Sequence, residues 1–108
     1  MSRELDIKED GNHLTLSGPL TIEYGRQLWE ALRATIARGN QAFISLAEVE
    51  DVDVVGLQIL YAARKEALGD DKELIWTAIS AACGENAALA GMSGFLGFPE
   101  PADGQRSQ

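Results

Sequence analysis

Basic residues are scarce in this chain. Nine lysines and arginines stand against seventeen aspartates and glutamates, a formal net charge of −8 over 108 residues. A surface this negative repels phosphate backbones and anionic lipid, which argues against direct nucleic-acid binding and favours a basic partner. Cysteine is nearly absent. Cys83 alone allows no internal disulfide and no cysteine-based zinc cluster, and it fits a reducing, cytoplasmic setting. Long apolar runs are missing as well. None approaches the roughly 18 residues that cross a bilayer, so direct membrane insertion is not expected. The polar opening "MSRELDIKED" does not read as a signal peptide. Aromatics make up only 6% of the chain, too few for a base-stacking platform.

Catalytic groups are equally thin. His13 is the only histidine, at the start of a predicted strand, and no nucleophile-elbow pattern surrounds Ser17, Ser45, Ser80 or Ser93. Cys83 falls in the first turn of a predicted helix, where a thiol can be activated; the plainer reading is a small apolar filler. Glu48, Glu50, Asp51 and Asp53 cluster closely, but their spacing is not that of a calcium loop, and such runs are usually solvated. Neither glycine-rich phosphate loop occurs. The reading is therefore of a non-enzyme with no metal and no cofactor.

What is present is a regular alternation of strands and helices. "ELDIKED" and "HLTLSG" alternate around the turn signal Gly11-Asn12, which predicts a β-hairpin closed by Gly18-Pro19. Thr21 is expected to cap a first helix, with Glu23 in its first turn and Ile22, Leu28, Leu32 and Ile36 on its apolar face. Trp29, at the edge of that face, is a candidate interface anchor. "AFISLAEV" reads as a strand buried on both faces, with the acidic run as a loop after it. A second helix is expected from Gly56, with Leu57, Leu60, Tyr61, Arg64 and Leu68 along its main row. "ELIWTAI" is a fourth strand. Ser80 should cap a third helix ending at Gly91 or Gly94, and the apolar "FLGF" should fold back onto the core. The order β-β-α-β-α-β-α predicts a single α/β domain over residues 1–98. Its sheet is mostly parallel, of four strands or five, with helices mainly on one side. Residues 99–108 are read as a disordered polar tail.

This order, together with "LSGPLTIEYGRQLWEAL", "FISLAEVEDVDVVGLQILYAARKEA" and "ELIWTAIS", resembles a STAS domain, the fold of bacterial anti-sigma-factor antagonists and of sulfate-transporter cytoplasmic tails. The pattern Asp53…Gly56-Leu57 is the strongest local match. The resemblance implies a protein-binding switch. In the antagonists a Ser or Thr directly after the motif's Asp is phosphorylated by a partner kinase that is also the anti-sigma factor. The added charge breaks the complex. Here Val54 occupies the acceptor position and Val55 the next, so phosphorylation there is excluded by residue type. Ser45 and Thr21 also stand where the family commonly has Asp. The partner-binding face implied by the resemblance comprises Thr21, Glu23, Tyr24, Glu50, Asp51, Asp53, Val54, Val55, Gly56, Leu57, Gln58 and Tyr61. The partners it suggests are a kinase-type anti-sigma factor, a chemotaxis-type complex or a lipid-transport complex. A small apolar or nucleotide ligand is the alternative; a homodimer is a further option, compatible with partner binding.

Overall fold

A computed structural model describes residues 4–98; the expected tail 99–108 lies outside them. Its elements run β1 (Asp6–Asp10), β2 (His13–Leu20), a 3-10 turn (Ile22–Tyr24), α1 (Gly25–Ala37), β3 (Gln41–Val52), α2 (Val54–Gly69), β4 (Glu73–Ile79), α3 (Ala81–Leu89) and α4 (Ser93–Leu96). The sheet order is β1-β2-β3-β4. Only β1–β2 is antiparallel, and the two crossover pairs are parallel, as strand–helix–strand units require. The expected α/β architecture with four strands is the one found.

One face of the sheet makes the core. Leu14, Leu16 and Leu20 of β2, and Ala42, Ile44 and Leu46 of β3, are all buried. Leu28, Leu32 and Ile36 of α1 close over them, with Leu57, Leu60, Ala63 and Ala67 of α2, Cys83 and Ala87 of α3, and Leu96 of α4. An Arg33–Glu66 ion pair of 2.9 Å joins α1 to α2. The opposite face carries half-buried Thr15, Ser17, Phe43, Ser45 and Ile75.

Several local expectations fail for identifiable reasons. β3 is not buried on both faces; its burial alternates, because the helices cover only one side. It also runs on through Glu48, Glu50 and Asp51, which belong to a strand and not to a loop. Gly18-Pro19 does not end β2. Gly18 sits at φ +87° within a bulged register opposite β3, a conformation that favours glycine, and the strand continues to Leu20. Ile22 does not belong to the apolar row of α1. It lies six residues before Leu28, a spacing that misses the helix face, and it is 67% exposed. Thr21 makes no side-chain cap bond, because a 3-10 turn intervenes and α1 starts only at Gly25. The buried row of α2 includes Ala63 and Ala67 in place of Leu68, which faces solvent. Ser80 does cap α3, its Oγ accepting from the Cys83 N–H at 3.1 Å.

Candidate functional site

Because β2 and β3 are parallel neighbours, their chain exits lie side by side. Leu20 pairs with Val52 at the end of the ladder, and the Asp53 N–H donates to the Leu20 carbonyl at 3.2 Å. The segments that follow, Thr21–Tyr24 and Asp53–Gly56, are therefore adjacent. Carboxyl ends of parallel strands are where such sheets usually bind.

Asp53 fixes both segments. Its Oδ1 accepts the Gly56 N–H at 2.9 Å and so caps α2. Its Oδ2 accepts the Ile22 N–H at 3.0 Å. Gly56 brings the first turn of α2 against the end of β2. A Cβ there would run into the Leu20 carbonyl oxygen and touch Val52 Cγ2 at 3.0 Å, so only glycine permits the approach. On this mount Val54 projects at 55% exposure beside the exposed Ile22, while Val55 is half-buried. Gln58 and Tyr61 follow Val54 at i+4 and i+7 on one face of α2.

Acidic residues flank these apolar groups along the chain. Glu23, Glu50 and Asp51 are exposed, and Glu48 lies further back along β3. Partial desolvation, then the charges of Glu23 and Glu4, raise the Tyr24 hydroxyl above its ordinary pKa of 10.0. The phenol therefore stays neutral at neutral pH and can still donate a hydrogen bond.

The residues expected from the sequence divide into three groups. Thr21, Glu23, Tyr24, Glu50, Asp51, Val54, Val55 and Gln58 offer exposed or half-exposed surface, and Asp53 ties the two segments together. Gly56 and Leu57 are buried and act as supports. Tyr61 turns towards α4, edge-on to Phe95 with ring centres 5.9 Å apart, and Lys65 lies over its ring. Ile22, in the same segment from Thr21 to Tyr24, was placed by the sequence in the helix's apolar row; it is exposed, as its misfit to the helical spacing marked.

The other chemical groups stand apart. His13 is exposed and stacked on Phe43, centroids 4.7 Å apart. Cys83 is buried, and burial pushes its thiol up to about 11, which leaves it protonated and unreactive. Among the described residues no three His, Cys, Asp or Glu side chains group as a metal site would need. A groove of about 790 Å³ lies between α3 and the segment after it, lined by Ile79, Gly84, Ala88, Gly94 and Phe98 among others.

Comparison with known proteins gives a consistent picture. A family model described as "Mlab, STAS domain" matches residues 4–97. No curated protein matches. An anti-sigma factor antagonist from Mycobacterium paratuberculosis is 24% identical with a TM-score of 0.68, over 87% of this chain and 86% of that one. The anti-sigma factor antagonist SpoIIAA in its unphosphorylated form is 10% identical with a TM-score of 0.64, over 85% and 84% of the two chains. At such identities the structures establish a shared fold.

Proposed function

Since the chain belongs to the STAS domain family, we propose that it is a non-catalytic signalling module that binds a partner protein, in line with the anti-sigma factor antagonists whose fold it shares. The contact surface is Ile22 and Val54, flanked by the acidic Glu23, Glu50 and Asp51. The observation that carries this reading is Val54 itself. An apolar side chain more than half exposed, held by Asp53 and Gly56 at the position where the resemblance implies a phosphorylatable hydroxyl, has no role in the core. Binding here is constitutive, with no phosphorylation at position 54. The partner presents an apolar recess with a basic rim, so the complex weakens as salt rises.

Pull-down or proximity labelling with wild type, Val54→Asp and Ile22→Asp tests the surface. Both variants should lose at least tenfold of the partner recovered by wild type. Equal recovery by all three sinks the reading. Val54→Ser in the presence of a cognate kinase should become phosphorylated if the surrounding frame is intact.

A second reading, a bound apolar ligand, is favoured by the groove beside α3. Native mass spectrometry of protein purified from cells should then show a co-purifying adduct; a clean apo mass removes this reading.

A further inference from the structure

The two edges of the sheet are built differently. β1 closes one side with Asp6, Lys8, Glu9 and Asp10, so that four of its five residues are charged. Charges in that density keep another strand from pairing. β4 closes the other side with a single charge, Glu73, followed by Leu74, Ile75, Trp76, Thr77, Ala78 and Ile79. None of its residues is buried, unlike the alternately buried β2 and β3. Among the described residues no strand pairs with its outer edge.

The register shows which backbone groups that edge offers. The Glu73 N–H donates inward to the Asn40 carbonyl at 2.9 Å. Alternation then turns the N–H and C=O groups of Leu74 and Trp76 outward. The pattern resets at Thr77, where the β3–β4 register shifts so that Ser45 pairs with Ala78. The clean outward ladder is thus Leu74 and Trp76, with Ile75 between them.

We propose that this edge pairs with the same edge of a second copy, in a symmetric dimer joined β4 to β4. Antiparallel pairing about a two-fold axis at Ile75 sets Leu74 of each copy opposite Trp76 of the other. Each of these two pairs exchanges two backbone hydrogen bonds. Ile75 meets its counterpart on the axis as a non-hydrogen-bonded pair, where α-carbons approach to about 4.5 Å. The arrangement is self-complementary. Glu73 falls opposite Thr77 of the second copy and Lys72 opposite Ala78, so no like charges meet across the ladder. Because β1 is guarded by charge, pairing stops at two copies and does not run on into a filament. The dimer uses none of residues 21–24 or 53–58, so it stands independently of the partner surface. Each copy carries −8, so salt strengthens the dimer by screening their repulsion, the reverse of its effect on a basic partner.

Sedimentation equilibrium of the wild-type chain at low and high salt is the first test. A dimer fraction that rises with concentration, and further with salt, is expected. Ile75→Cys under mild oxidation should give a disulfide-linked dimer through the axis, since the native Cys83 is fully buried and silent. Ile75→Glu, which sets two carboxylates across the axis, should weaken association at least tenfold while circular dichroism stays unchanged. A wild-type chain that remains monomeric at every concentration and salt overturns the proposal. So does an Ile75→Cys chain that stays reduced. Leu74 and Trp76 amides already protected from exchange in dilute monomer would show the edge occupied within one chain, and would overturn it too.

Discussion

Asp53 serves two backbone donors with one carboxylate, and substitutions should separate them. Asp53→Asn keeps an oxygen for the Gly56 N–H but turns an amide NH₂ towards the Ile22 N–H, donor against donor. Hydrogen exchange at Ile22 should rise sharply while α2 stays capped. Asp53→Ala loses both acceptors and should cost about 1–2 kcal/mol in urea unfolding. Gly56→Ala should cost more, on the order of 3 kcal/mol, because the new methyl meets a backbone carbonyl that cannot move without breaking the β2–β3 ladder. Cys83 gives a pH signature. Its thiol rises from an ordinary 9.0 to about 11 on burial. Between those values the unfolded chain has released a proton that the folded chain retains, so stability falls as pH rises through this window. Tyr24, also raised, acts in the same direction at higher pH. Cys83→Ala should flatten the fall between pH 9 and 11 in thermal melts, and the native thiol should resist alkylation at neutral pH.

At the scale of elements, the last helix is the most instructive. α4 has four residues, too few to persist alone. It is held by the Trp76 indole N–H to the Leu96 carbonyl at 2.7 Å, by Arg64 Nη1 to the Phe95 carbonyl at 2.8 Å, and by the buried Leu96 side chain. Trp76→Phe should lose about 1 kcal/mol and release residues 93–98 to faster exchange, and Leu96→Ala should lose about 2–4 kcal/mol. The sequence announced that "FLGF" returns to the core, since Leu96 had no other way to leave water. It could not announce the indole bond, which depends on where β4 ends. The same division runs through the whole chain. Element order and the Ser80 cap were legible from local patterns, and strand direction from the handedness of strand–helix–strand crossovers. The acidic run looked like a loop because charge argues against a strand; pairing with β2 out to Val52 overrode it. The exposed apolar surface at Val54 was legible through its neighbours Asp53 and Gly56. It was illegible at Ile22, whose exposure follows from a 3-10 turn that no residue type enforces.

At the scale of the molecule, charge and coverage decide behaviour. Helices α1 to α4 contribute to a core on one side of the sheet, and the other face stays half-exposed with hydroxyls and a His13–Phe43 stack. Among the described residues no helix is long and apolar enough to cross a membrane. With −8 on one small domain, ionic strength becomes the most informative variable. A titration from low to high salt should loosen the complex with a basic partner and tighten self-association, so the two events can be told apart in one sample by sedimentation.

The mount beneath Val54 has a consequence for regulation. Asp53 and Gly56 build it from a carboxylate and backbone atoms, and the side chain at 54 takes no part. A change of side chain at 54 therefore leaves this mount in place. On the proposed reading, a hydroxyl there would answer to a kinase and a hydrocarbon would not. On that reading, exchanging the side chain at 54 trades a regulated surface for a constitutive one while the mount of Asp53 and Gly56 stays in place.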